Sequence, residues 1–237
     1  MKTAPTRLIC LVIAASLLLS LTACGKSDAQ TAETPTVQLM QTNPAESLET
    51  AESGHRILIA YFTAAENSDV DAVSSASFVS IVGTAKGRVQ ALAEMIQAET
   101  GGDLFSIRTS TEYPGDGGKL IDFAAKEQNA NARPELTTYI ENLDGYDVIF
   151  VGYPNWWYDM PMVMYSFFEE YDFSGKTIIP FNVHNGSRFS STIETIQGLE
   201  PDATVITDGF TVSERNVADC QKDVSDWLDG LGYSGGI

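Results

Sequence analysis

Several apolar runs in this chain do not alternate with polar residues, and a segment of helical period follows most of them. Ile57-Leu58-Ile59-Ala60-Tyr61-Phe62 is the first. An uninterrupted run of that length suits a strand covered on both faces. Further strands are expected over 103–108, 147–153, 177–183 and 203–207. Arg88–Thr100 places Val89, Leu92, Ala93 and Ile96 on one stripe and stops at Gly101-Gly102, as a helix with a glycine terminator does. Helices are also expected over 122–129, 134–142, 162–170 (opened by Pro161), 190–198 (capped by Ser190 or Ser191) and 214–231. Such alternation builds a parallel sheet with helices on both faces. The expectation is a doubly wound, five-stranded α/β domain over 55–237. Ligands of such sheets lie beyond the carboxyl ends of the strands. The informative residues are therefore those that follow Phe62, Arg108, Tyr153 and Val183.

Residues 1–54 have a different character. Lys2 and Arg7 accompany an apolar run over 8–21, too short for a comfortable membrane span and suited to a signal-peptide core. The run ends in Leu21-Thr22-Ala23-Cys24, which resembles the cleavage box of bacterial lipoproteins. That resemblance implies a signal peptide over 1–23, lipid on the Cys24 sulfur, and a domain held outside the cytoplasm on the bacterial cell membrane. Residues 24–54 are rich in Thr, Ala, Glu, Gln, Ser and Pro and hold no aromatic residue. They cannot bury enough apolar surface to offset chain entropy, so a flexible linker is expected. With Cys10 in the signal and Cys24 lipidated, Cys220 is left alone, so no intramolecular disulfide forms and Cys220 is expected to be a packing residue. Lys and Arg number 14 against 32 Asp and Glu, a formal charge of −18. Nucleic acid is excluded as a partner on that balance, and a basic partner is favoured.

Two loops carry the chemistry. The first is Gly152-Tyr153-Pro154-Asn155-Trp156-Trp157-Tyr158-Asp159-Met160-Pro161, with its aromatic residues crowded at a strand end. Such side chains stack on a flat heterocycle, or else close the edge of the core or bind a partner. The second is Pro180-Phe181-Asn182-Val183-His184-Asn185-Gly186-Ser187, whose amides, imidazole and backbone N–H groups suit the polar edge of a planar ring, or simply a turn built on Asn and Gly. His55 and His184 are the only histidines, too few for a histidine-based metal centre. No serine elbow accompanies His184, which argues against hydrolysis.

From Arg56 to Tyr233 the chain resembles the flavodoxin family, of the type found in bacterial lipoproteins. The resemblance is carried by Ile57–Phe62, by Asn131-Ala132-Arg133-Pro134-Glu135-Leu136, by Gly152-Tyr153-Pro154-Asn155-Trp156-Trp157, by Asp172-Phe173-Ser174-Gly175-Lys176-Thr177 and by the loop 182–187. It implies a flavodoxin-like fold with strand order 2-1-3-4-5, FMN as cofactor and electron transfer as activity. The flavin ring would sit between Pro154, Asn155, Trp156, Trp157 and Tyr158 on one side and Asn182, His184, Asn185, Gly186 and Ser187 on the other. The implied partner is a redox protein or a membrane-bound electron donor.

The family's phosphate loop follows strand one directly and reads Ser/Thr-x-Thr-Gly-Asn-Thr. Here Thr63 opens the loop, but the segment 63–86 separates Phe62 from Gly87. The chain then reads Thr84-Ala85-Lys86-Gly87-Arg88-Val89 into the helix. Gly87 fits the family's glycine, while Arg88 and Val89 stand where Asn and Thr are expected. Thr63 and Thr84 keep hydroxyl donors, and Lys86 and Arg88 offer charged ones at a helix N-terminus. An FMN-dependent quinone or NAD(P)H reductase is an alternative. So is a binding lipoprotein without cofactor, which the altered loop favours and the Trp156-Trp157 pair opposes.

Overall fold

The computed structural model describes residues 56–68, 79–81 and 84–234, all within the compact unit Ala51–Ile237. The expected signal segment, Cys24, the linker and His55 lie outside the described residues. No helix among the described residues is long and apolar enough to cross a membrane.

The strands are β1 (Ile57–Tyr61), β2 (Val79–Ile81), β3 (Thr84–Lys86), β4 (Asp103–Ser106), β5 (Val148–Pro154), β6 (Thr177–His184), β7 (Thr204–Val205) and β8 (Phe210–Ser213). The helices are α1 (Arg88–Thr100), α2 (Gly117–Asn129), α3 (Met162–Glu170), α4 (Thr192–Leu199) and α5 (Gln221–Leu231). The main sheet runs β4-β1-β5-β6-β7, with β8 also on β6, and all its pairings are parallel. With the separate β2–β3 hairpin set aside, this is the expected order 2-1-3-4-5. The fifth position is shared: β7 pairs with Thr177 and Ile178, and β8 with Phe181 to His184.

The unbroken apolar runs follow from this architecture. Leu58, Ala60, Phe62, Ile149, Val151 and Tyr153 face one core with Val163, Met164, Phe167 and Ile196. Ile59, Tyr61, Val148, Phe150, Ile179 and Phe181 face the other, with Leu92 and Ile96 of α1 and Val224 and Leu228 of α5. Within β1, β5 and β6 nearly every residue is thus buried whichever way it points, and a fully buried large apolar side chain contributes about 1.5–3 kcal/mol. Gly152 is a requirement of the same packing. It lies beside Phe181 in register, and a Cβ there would come within 2.1 Å of the Phe181 ring.

Four expected elements differ. Residues 134–142 form no helix. They run extended along the end of β4, where Leu136 bridges Thr109, Thr137 N–H donates to Arg108 O at 2.8 Å and Thr138 Oγ1 donates to Ser106 O. Their β-branched residues suit that role. Helix α2 starts at Gly117, not 122, because the Asp116 side chain accepts from Lys119 N–H as an N-cap. The last helix starts at Gln221 rather than 214, since β8 and a one-turn 3-10 helix, Val217–Asp219, occupy the preceding stretch. Thr84 to Lys86, expected as loop, pair with β2.

Candidate functional site

Strand β5 delivers Asn155 to the carboxyl end of the sheet, where its N–H donates to Val183 O at 2.8 Å. Pro154 stays buried in the strand opposite Val183. The chain then reverses in one tight turn. Trp156 and Asp159 exchange both backbone hydrogen bonds, at 2.8 and 3.0 Å. Trp157 and Tyr158 between them have φ of 52° and 64°. The left-handed region costs a residue with a side chain roughly 1–2 kcal/mol, and two consecutive bulky aromatics hold it here. Asp159 clamps the turn, accepting from Met160 N–H and from the Tyr165 hydroxyl.

The turn divides the aromatics. Trp156 points inward, 9% exposed, with edge-to-face contacts to Phe62 and Tyr113. Trp157 and Tyr158 point outward, 48% and 71% exposed. Trp157 is anchored by its indole N–H, which donates to Ile121 O at 2.8 Å.

The facing loop follows β6. Asn182 is fully buried: its amide nitrogen donates to Arg188 O, and its amide oxygen accepts from Thr211 Oγ1. It therefore shapes the loop from within. The Asn155 amide nitrogen donates to the same Arg188 carbonyl at 2.9 Å, tying the two loops together. Gly186 has φ 103° and donates its N–H to His184 Nδ1 at 2.8 Å. Burial, and then the charge of Arg188, lower the His184 pKa against the opposing pull of Glu214. An unprotonated Nδ1 is what the Gly186 bond requires.

Between these loops lies a cleft of about 480 Å³, within the size range of small-molecule sites. Asn155, Trp156, Trp157 and Tyr158 line one side, and Asn185, Gly186 and Ser187 another. The structure so brings together most of the two expected loops. Asn182 and His184 are not among the lining residues. Gly117, Leu120, Ile121 and Ala124 of α2 and Glu214 complete the wall, and the sequence reading missed all five. The α2 contribution depends on a helix start that Gly117-Gly118 disguises as a turn. Glu214 directly follows an alternating Phe-Thr-Val-Ser strand, a placement that marks ligand residues in parallel sheets.

The phosphate-loop candidates form a neighbouring locus at the end of β1. Gly87 is the N-cap of α1, with no side chain capping the helix. The first intrahelical bond runs from Ala91 N–H to Gly87 O. The turn before it offers the N–H groups and dipole that attract anions. Thr63 packs directly on Gly87, so the segment between them leaves and returns to the point where the family's short loop would close. Asn67 secures the departure: its side chain donates to Thr63 O and accepts from Thr109 N–H. Val89 is buried in the core. Lys86 is ion-paired with Glu94, and Arg88 Nε donates to Glu214 O at 2.9 Å. Thr84 is placed only through its backbone in β3. The Arg88–Glu214 bond is the link between this locus and the cleft.

The Flavodoxin family profile matches residues 74–231. No curated protein matches the chain. A crystal structure provisionally named a flavoprotein, from Bacteroides eggerthii DSM 20697, is 26% identical with a TM-score of 0.58, over 75% of this chain and 98% of that one. A similarly named protein from Bacteroides uniformis ATCC 8492 is 23% identical with a TM-score of 0.56, over 74% and 99%. A flavoprotein from Lactobacillus acidophilus NCFM, solved in complex with FMN, shares the fold at 16% identity and a TM-score of 0.50, over 71% and 99%. The strand order and the family match across most of the domain lead to one conclusion: the chain belongs to the flavodoxin family.

Proposed function

We propose that this chain binds FMN in the cleft between the aromatic turn and the loop after β6, and that it transfers electrons. The observation that carries this is the turn at Trp157 and Tyr158. A fold does not hold two large aromatics exposed, in a disfavoured backbone region and beside a cleft, for its own stability. They suit the faces of a flat ring. Two buried acceptors in the cleft wall, Asn155 Oδ1 and Glu214 Oε2, have no donor among the described residues, as expected of a wall that meets a polar ligand.

Trp157 and Tyr158 would hold the ring, and Asn155, Asn185, Gly186 and Ser187 its polar edge. Thr63 and the first turn of α1, with Gly87 and Arg88, would hold the phosphate. Bound FMN supplies one- and two-electron chemistry. The chain's own part is to position the ring, limit water around it and set the local charge. The formal charge of −18 supports a basic redox partner, whose association would slow as salt rises. Cys24 is the proposed lipid attachment site. Its cleavage-box context supports an extracytoplasmic protein that meets membrane-bound donors.

Titration of the purified chain with FMN, followed by flavin fluorescence, tests the central reading. One-to-one quenching weakened by Trp157→Ala supports it, and no binding at micromolar protein overturns it. Turnover with NAD(P)H and a quinone would assign a reductase instead of a carrier. Loss of lipid labelling and of membrane association in Cys24→Ala tests the anchor.

A further inference from the structure

Glu214 is a carboxylate buried in the cleft wall, with the charge of Arg88 near it. It follows β8 directly, lines the cleft and is 7% exposed. Its backbone is fixed on both sides: the N–H donates to His184 O at 2.9 Å, and the carbonyl accepts from Arg88 Nε at 2.9 Å. The side chain is therefore delivered to one place. There its Oε2 is buried with no hydrogen-bond partner among the described residues. Asn155 Oδ1 is in the same condition in the same cleft, while its amide nitrogen is committed to Arg188 O. A buried acceptor without a donor lowers the stability of the fold. Two such acceptors lining one cleft point to a ligand that brings the donors.

We propose that Glu214, with Asn155, accepts hydrogen bonds from a neutral donor group of the bound ligand and so determines which part of the ligand occupies this end of the cleft. The proposal rests on the FMN reading and refines it. A carboxylate repels phosphate and attracts hydroxyl or imide hydrogen. The part of the ligand beside Glu214 is therefore its hydroxyl-bearing chain or its ring N–H, and the phosphate goes elsewhere. Such an arrangement trades stability of the empty protein for affinity. That trade distinguishes a ligand-directed Glu214 from a structural one.

The test uses the full chain, its Glu214→Leu and Glu214→Gln variants, and three probes: FMN, riboflavin and lumiflavin. Lumiflavin keeps the ring without the hydroxylated chain, and riboflavin keeps the chain without phosphate. Binding is followed by fluorescence, and thermal unfolding is measured without ligand. Glu214→Leu is expected to weaken FMN and riboflavin by about tenfold or more, the range of a hydrogen bond to a charged group, while the unliganded midpoint stays level or rises. Glu214→Gln keeps one acceptor oxygen and should recover most of the affinity. An unchanged lumiflavin affinity assigns the donor to the hydroxylated chain, and an equal loss assigns it to the ring. The proposal is overturned by unchanged riboflavin binding, by FMN binding that only tightens, or by a fall in the unliganded midpoint that accompanies the loss. A wild-type chain that binds none of the three probes overturns the FMN reading itself, and this proposal with it.

Discussion

The hydroxyl oxygen of Thr63 occupies the space in which a side chain at Gly87 would begin: a Cβ there would lie 2.1 Å from it. Thr63 is β-branched and fully buried, so it has little freedom to move aside. Gly87→Ala should cost about 1–3 kcal/mol, the range for overpacking a tight site, and should weaken FMN binding by shifting the first turn of α1. Thr63→Ala in the same chain should restore part of the stability, because it removes the Oγ1 and Cγ2 contacts and leaves the residue-63 Cβ at 2.8 Å. Urea unfolding of the single and double variants checks both statements, and additive losses would contradict them.

Gly152 makes the same kind of demand on the sheet. A Cβ would fall within 2.1 to 2.8 Å of three atoms of the Phe181 ring, and Phe181 is fully buried. Gly152→Ala is expected to destabilise the domain by about 2–3 kcal/mol. Phe181→Leu, costly alone, should be less costly in the Gly152→Ala background. Denaturant midpoints across the four-member cycle measure the coupling.

Much of this architecture is legible in the residues themselves. The runs at β1, β5 and β6 are apolar on both faces because helices cover both, and α1 carries its stripe and its glycine stop. Legibility fails where long-range contact decides. Residues 134–142 carry a helix-like spacing, yet the open edge beyond β4 captures them as an extended segment. The split of the fifth strand depends on how β6 is paired along its length. The two site loops were readable from aromatics and amides crowded at strand ends. Ile121, Leu120 and Glu214 were not, because their role comes from α2 and β8 being brought over the cleft.

The exposed aromatic turn gives a third prediction. Tyr158 is 71% exposed with φ 64°. Glycine adopts this conformation without the steric cost, though it also gains freedom in the unfolded chain. Tyr158→Gly should therefore leave the unliganded domain as stable, or more stable by up to ~1 kcal/mol. It should weaken FMN about twofold to tenfold, the equivalent of one aromatic stacking contact. Calorimetry without ligand and fluorescence titration with FMN test the two halves separately. A loss of stability with unaltered binding would remove Tyr158 from the site.

Glu127 on α2 and Glu200 after α4 give a prediction about pH. Burial raises both carboxyls from 4.5 to about 7, and the charge of Asp172 adds to the effect at Glu200. Between pH 4.5 and 7 the native domain holds protons that the unfolded chain has released, so these groups make stability fall as pH rises. His184 acts with the opposite sign, because its lowered pKa leaves the unfolded chain binding the extra proton below about pH 6.5. The contrast between wild type and a Glu127→Gln, Glu200→Gln double variant isolates the carboxyl contribution. The unfolding midpoint of the variant should decline less from pH 5 to pH 8, and parallel curves would count against the assignment.

The division of the fifth strand has a bearing on colloidal behaviour. A parallel sheet with two open edges is a template on which other chains can add strands, and long flat edges aggregate. Here one edge is β4, with 4 residues, and the other is shared by β7, with 2, and β8, with 4. A foreign strand would find a short, interrupted row of backbone donors and acceptors on either side. The break between Val205 and Phe210 thus makes the sheet a poor nucleus for fibre growth, and crowding many copies together need not turn them into aggregate.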